Sequence, residues 1–146
     1  AAEVTLKAPV TKTVSKGKLK EVEFSTALIP LGVAMLLPAG MEAVLISRSG
    51  TFKNFGLMQL NAPGIIDGGK LGYNGPNDEW KFQAIALKTI TIPVNERVCQ
   101  YRIQLSQKAT MWQKLKWLFT NGIKIIEVED LPEKEDRGGF STTGTK

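Results

Sequence analysis

Apolar residues alternate with polar ones, or run together briefly, at EVTLKA (3–8), TALIPLGVAMLL (26–37), EAVLISR (42–48), FGLMQLN (55–61), PGIID (63–67), WKFQAIAL (80–87), TITIPV (89–94), RVCQYRIQL (97–105) and IKIIEVEDL (123–131). Successive side chains of a strand point to opposite faces, so these stretches predict strands. Turn signals separate them, among them SKGK (15–18), PAG (38–40), RSGT (48–51), NAPG (61–64) and YNGPNDE (73–79). The cadence predicts an all-β sandwich or barrel. Pro30, Pro38 and Pro93 fall where strands start or lie at an edge, the places that tolerate a missing N–H.

One segment breaks the cadence. TMWQKLKWLFTNG (110–122) opens with a capping box, Thr110 with Gln113, and closes with Asn121-Gly122. Met111, Trp112, Leu115, Leu118 and Phe119 recur at helical spacing, which predicts a short inserted helix over about 110–121 whose apolar stripe is wide enough to pack on the β framework, covering a sheet edge or lying at the rim between subunits. Trp117 falls off that stripe, beside Lys114 and Gln113, so an exposed docking surface is the alternative role for the helix. The tail EKEDRGGFSTTGTK (133–146) has no apolar periodicity. The expected organisation is a single β domain over 1–136 and a flexible tail over 137–146.

Composition narrows the chemistry. With 146 residues, one cysteine (Cys99) and no histidine, the chain has no disulfide framework, no His-based triad and no His-ligated zinc. Reactions must run on carboxylates, hydroxyls, Arg, Lys and backbone. The net charge of +5 favours an anionic partner, but the lysines are scattered, which suits a small polyanion better than a nucleic-acid groove. No apolar run reaches the ~20 residues of a membrane span, so a soluble, cytoplasmic protein is expected.

Four polar clusters interrupt the strands. In SRSGTFKN (47–54), Arg48, Ser49, Thr51 and Lys53 surround Gly50, a set suited to phosphate oxygens, although for this cluster taken alone an ordinary solvated turn is the commoner explanation. In NAPGIIDGGKLGYNG (61–75), Asp67 ends a buried-looking Ile-Ile run and faces a glycine loop; a turn aspartate and a catalytic one both fit. In NERVCQYRI (95–103), Gln100 stands in mid-strand, a position that usually faces solvent. In DRGGFSTTG (136–144), Phe140 stands among an Arg, glycines and hydroxyls, the composition of a disordered tail or of a lid that closes over a base and a phosphate.

The order of these motifs resembles that of the trimeric dUTP pyrophosphatases (dUTPases), particularly those of Gram-positive bacteria and their phages. The match runs from about Ile29 to Lys146 through IPLGVAMLLPAG, SRSGTFKNFG, NAPGIID, YNGPNDEW, RVCQ and EDRGGFSTTGTK. The resemblance implies a distorted jelly-roll β-barrel and hydrolysis of dUTP to dUMP and pyrophosphate. It implies that Asp67 orients the attacking water and that Tyr73 stacks on the deoxyribose, leaving no room for a 2′-hydroxyl. Asn61 lines the uracil pocket. Arg48, Ser49, Gly50 and Gln100 contact the triphosphate. Arg137 reaches the γ-phosphate, Phe140 stacks over uracil, and Ser141, Thr142 and Thr143 support phosphate binding. Mg²⁺ is implied as cofactor, held by the triphosphate and water, with no direct protein ligand. So is a homotrimer whose sites take the phosphate motifs, the Asp-Tyr loop and the tail from different subunits.

The sequence departs from the family at three places. Thr5 stands where an Asp that organises magnesium-bound water is usual. The Asp67-to-Tyr73 spacing is longer than customary, so an ungapped alignment puts Lys70 at the tyrosine's place. Ser141 replaces a customary glycine. Two other functions remain for comparison: a regulatory protein on a dUTPase scaffold that binds a partner, through the 110–121 helix, with little turnover; and a dCTP deaminase, against which the Phe-bearing Gly-rich tail argues.

Overall fold

Strands dominate because β-branched and alternating residues recur. A computed structural model of the chain describes residues 3–14, 19–73, 75, 78–120, 122–129 and 131. In chain order the strands are β1 (Val4–Leu6), β2 (Val10–Val14), β3 (Leu19–Glu23), β4 (Thr26–Pro30), β5 (Met41–Ser47), β6 (Leu57–Gln59), β7 (Gly64–Asp67), β8 (Lys81–Ala86), β9 (Ile90–Ile92) and β10 (Cys99–Leu105). One π-helical turn, Thr51–Phe55, one 3-10 turn, Gly69–Leu71, and one helix, α1 (Met111–Leu118), complete the described elements. The sheets are β1-β9, β2-β3, β4-β8-β6 and β10-β5-β7. Two compact units result: residues 1–32, 45–64 and 81–100 in the first, and residues 33–44, 65–80 and 101–146 in the second.

The first unit holds the main core. Its centre is β8, where Phe82, Ala84 and Ala86 are buried and alternate with the less buried Lys81, Gln83 and Ile85. Antiparallel β4 sets Ile29 opposite Phe82 and Ala27 opposite Ala84, while β6 sets Leu57 opposite Ala86. Leu6, Leu45, Ile92 and Val98 join the same cluster. Phe82 is fully buried in that cluster, and burying a side chain of that size is worth about 1.5–3 kcal/mol.

The β2-β3 hairpin is built differently. Its Val10 and Val22 are exposed, and Lys12 pairs with Glu23 across the strands. Antiparallel pairing from Val10↔Glu23 to Val14↔Leu19 and cross-strand side chains contribute to holding it. No apolar alternation marks it, and the sequence reading therefore missed both strands.

In the second unit Leu37, Met41, Ala43, Trp80 and Ala109 are buried. The Trp80 ring meets Tyr101 edge-on, with centroids 5.3 Å apart and planes at 89°. The expected helix is present but shorter than 110–121: α1 spans Met111–Leu118 and Phe119 caps its C-terminus. Both halves of the Thr110–Gln113 capping box form, at 3.3 Å and 2.7 Å. The apolar stripe does not pack on the β framework of its own chain. Met111, Trp112, Leu118 and Phe119 are 70–86% exposed, whereas Gln113 and Trp117 are half-buried. The cause is local: the Gln113 side chain, drawn back to the Thr110 N–H, lies on Gly40, whose missing Cβ leaves space for it. The run 123–131, expected as a strand, forms none among its described residues, and Ile123, Ile125, Ile126 and Val128 are exposed.

Candidate active site

Two groups of predicted site residues take shape separately, one in each unit. In the first unit, β5 ends at Ser47 and the chain turns through Arg48, Ser49 and Gly50 into the π-helical turn. The Thr51 hydroxyl accepts from the Arg48 N–H at 2.9 Å and donates to the Val98 carbonyl at 2.7 Å. The Arg48 guanidinium donates through Nη1 to the Arg97 carbonyl at 3.2 Å, and Gln100 Nε2 donates to the Ser47 carbonyl at 3.2 Å. Arg48, Ser49, Gly50 and Gln100 are thus brought together by bonds that lace residues 47–51 to residues 97–100. Ser49 and Gln100 are exposed, and Arg48 is half-buried. A guanidinium, a hydroxyl and an amide at one rim supply donors for phosphate oxygens; a guanidinium carries five N–H donors, and the bond to Arg97 takes one of them.

Asn61, exposed at the end of β6, belongs to the same unit. Gln59 Nε2 donates to its carbonyl at 2.7 Å and to the Leu45 carbonyl at 3.0 Å, while Ser47 Oγ donates to Gln59 Oε1 at 3.5 Å. Gln59 therefore ties the Asn61 backbone to β5. The sequence reading passed over Gln59; its signal was a polar residue inside the apolar FGLMQL run. The reading named Thr51 only as one hydroxyl among several, because a bond to Val98, 47 residues away, leaves no local pattern.

Cys99 begins β10 in this neighbourhood. Burial pushes its thiol from 9.0 up to about 11, and the nearby positive charge of Arg48 offsets part of that rise. The thiol stays protonated at neutral pH.

In the second unit, Asp67 closes β7, as its sequence position predicted. The Ile pair before it is not buried: Ile65 is exposed and Ile66 half-buried. The glycines that follow approach the chain's own backbone. The Gly68 N–H donates to the Met41 carbonyl at 2.9 Å, and the Gly69 N–H to the Leu37 carbonyl at 2.8 Å. A Cβ on Gly68 would stand 2.4 Å from the Pro38 carbonyl oxygen, and Gly69 has φ +75° beside Ala39. The glycine loop thereby seats the Asp67 end of β7 on the 37–41 turn. Lys70 is exposed on the 3-10 turn, and Tyr73, half-buried, follows it. Beyond, Asp78 Oδ2 accepts from the Gly75 N–H at 2.9 Å.

Arg137, Phe140, Ser141, Thr142 and Thr143 lie outside the described residues. Thr5, at the place of the expected acid, sits opposite Thr91 with the two hydroxyl oxygens 3.0 Å apart. No three Asp, Glu, Cys or His side chains gather as a metal cage among the described residues. None of the described helices is long and apolar enough to cross a membrane.

No family profile matches the chain. Individual proteins do. Over 128 residues it is 43% identical to the SPbeta prophage-derived deoxyuridine 5′-triphosphate nucleotidohydrolase YosS of Bacillus subtilis (strain 168), covering 88% of this chain and 77% of that protein. Over 124 residues it is 35% identical to the deoxyuridine 5′-triphosphate nucleotidohydrolase of Orientia tsutsugamushi (strain Boryong), covering 83% and 70%. Among solved structures, the dUTPase from Streptococcus mutans is similar, with a TM-score of 0.56 and 25% identity over 72% of each chain.

Proposed function

The chain belongs to the deoxyuridine 5′-triphosphate nucleotidohydrolase (dUTPase) family, and from that premise we propose that it hydrolyses dUTP to dUMP and pyrophosphate with the following division of roles. Asp67 orients a water and takes up its proton as the oxygen attacks the α-phosphorus; the bond from that phosphorus to the bridging oxygen breaks, and pyrophosphate leaves. Arg48, Ser49, the Gly50 backbone and Gln100 hold the triphosphate and neutralise charge as it develops. Asn61 faces uracil, and Tyr73 packs on the deoxyribose. Arg137, Phe140, Ser141 and Thr142 close over the nucleotide from the tail. Hydrolysis at phosphorus depends chiefly on positioning and on charge stabilisation, so a chain without histidine is adequate for it.

Magnesium bound with the substrate would supply further neutralisation of the triphosphate. The residues present suit an ion carried by phosphate oxygens and water: at position 5 the chain offers a hydroxyl bonded to Thr91 rather than a carboxylate. We infer a homotrimer in which each site draws on more than one subunit, as the motif resemblance to the trimeric dUTPases implies. A single cysteine, kept as a thiol, suits the reducing cytoplasm.

The observation that carries this reading is the lacing of residues 47–51 to 97–100, which presents a guanidinium, a hydroxyl and an amide together. The test is pyrophosphate release from dUTP with magnesium, beside dCTP and dTTP. Wild type should act on dUTP, and Asp67→Asn should lose about 10²-fold or more in kcat while remaining folded. Near-normal turnover by that variant would remove Asp67 from the mechanism.

A second reading, a partner-binding protein on this scaffold with little turnover, is favoured by one feature. The apolar face of α1 is exposed, with Trp112 at 81%, and exposed aromatic side chains flanked by Lys114 and Lys116 suit a protein contact. The same assay separates the two, because that reading requires wild type itself to be slow on dUTP.

A further inference from the structure

Among the four largest fully buried side chains described, Phe82, Leu6, Leu57 and Thr51, only Thr51 carries a polar atom. A buried hydroxyl is costly unless its hydrogen bonds are made. Here both are made, and both lead to the phosphate motifs. Thr51 touches Arg48 twice: its hydroxyl accepts from the Arg48 N–H at 2.9 Å, and its own N–H donates to the Arg48 carbonyl at 3.0 Å. The backbone of Arg48 is thereby held at both ends. The same hydroxyl donates to Val98 at 2.7 Å, two residues before Gln100, and the neighbouring Arg97 carbonyl receives the Arg48 guanidinium. Arg48 and Gln100 lie 52 positions apart in sequence, and the Thr51 oxygen is a single atom bonded to the backbone of both segments.

We propose that the Thr51 hydroxyl is a positioning group for the triphosphate: it sets the placement of Arg48 relative to the start of β10, and so the spacing of Arg48 and Gln100. The proposal rests on the reading of those two residues as triphosphate contacts. It differs from a packing role in a way that substitution can separate, since valine has nearly the shape of threonine and lacks only the hydroxyl.

Thr51→Val leaves the Arg48 N–H and the Val98 carbonyl without the oxygen that joins them. The expected result is a KM for dUTP raised about tenfold with kcat changed less than about threefold, because the loosened side chains contact the phosphates before as well as during the reaction. Thr51→Ser, which keeps the hydroxyl, should return KM to within about twofold of wild type. Independently of turnover, the Arg48 amide hydrogen should exchange about tenfold faster or more in Thr51→Val and recover in Thr51→Ser. Should the valine variant fail to fold, Thr51→Ser and Thr51→Ala form the matching pair, with alanine expected to show the raised KM. Equal KM values for the hydroxyl-bearing and hydroxyl-free variants, or an Arg48 amide that exchanges alike in both, overturn the role of Thr51 while dUTP hydrolysis by wild type stands. A wild type that fails to hydrolyse dUTP overturns the proposed function itself and this role with it.

Discussion

Gly68 offers the most direct test of how the acid is seated. Its backbone, at φ −98° and ψ 179°, is one that any residue adopts, so replacement by alanine introduces no torsional strain. The penalty is steric alone. The new Cβ would lie 2.4 Å from the Pro38 oxygen, 2.7 Å from the Met41 oxygen and 2.9 Å from Leu37 Cβ. Two of those neighbours are backbone carbonyls, and the Met41 carbonyl already accepts the Gly68 N–H, so none of this crowding is relieved by a rotamer change. Overpacking of this kind costs about 1–3 kcal/mol, and rigid neighbours place it at the upper end. The stiffer unfolded chain returns about 0.4–1 kcal/mol, leaving a net loss of roughly 2 kcal/mol. At 2–4 °C per kcal/mol that is a fall in Tm of roughly 4–8 °C. Gly32→Ala is the control. With φ +65° and open space around the new Cβ, it carries the left-handed penalty of about 1–2 kcal/mol, which the stiffer unfolded chain offsets only in part, and no steric clash. Both variants are melted at one protein concentration, because subunit association would make Tm depend on it. The displaced neighbour of Gly68 is Asp67, so dUTP turnover should also drop about tenfold or more in Gly68→Ala and hold in Gly32→Ala. A Gly68→Ala protein with unchanged Tm and unchanged turnover would refute the close-approach argument.

Two further outcomes can be checked. Because burial holds the Cys99 thiol at about 11 against 9.0 for an unburied one, its thiolate fraction at pH 8 is about 100-fold lower, and iodoacetamide should alkylate it correspondingly slowly in the folded protein. The raised value contributes stability that is complete below pH 9 and is lost as pH climbs from 9 toward 11; a Cys99→Ser variant should lack that portion of the alkaline decline, and equal declines would contradict it. Deleting residues 137–146 should leave a folded trimer, eluting at about three times the chain mass, with severely reduced dUTP turnover; undiminished activity would exclude Arg137 and Phe140 from the site.

The all-β class was legible because β8 alternates cleanly and because the turn residues between strands are of the types turns require; the dUTPase-like form of it was implied by the resemblance in motif order alone. Asp67 was legible as a strand-ending acid, and the Thr110–Gln113 capping box announced the start of α1. What escaped the sequence depended on other parts of the chain. In the β2-β3 hairpin Val10 and Val22 are exposed and most positions between them are Thr, Lys or Glu, so period-two apolar patterning never marked it. Periodicity grouped Met111, Trp112, Leu115, Leu118 and Phe119 on one side of α1, but it carries no statement of what covers that side, and in this chain Gly40 receives Gln113 instead. Whether Asp67 faced a plain turn or a site stayed open in the sequence, because the glycines after it make room for Pro38 and Met41, residues well before it in the chain. The hydroxyl of Thr51 looked like one more phosphate donor, and its burial turns it inward to Val98.

The way α1 is fastened has a consequence for how this surface can change over generations. The helix is attached through Gln113 and the half-buried Trp117, and the Ser106 N–H before it bonds the Gly40 carbonyl at 2.8 Å. Positions 111, 112, 118 and 119 therefore carry almost none of the packing that keeps the chain folded, and substitutions there cost little stability. Selection is free to rewrite them one at a time, altering what this face of the protein presents to its surroundings while the residues around Arg48 and Asp67 are left untouched.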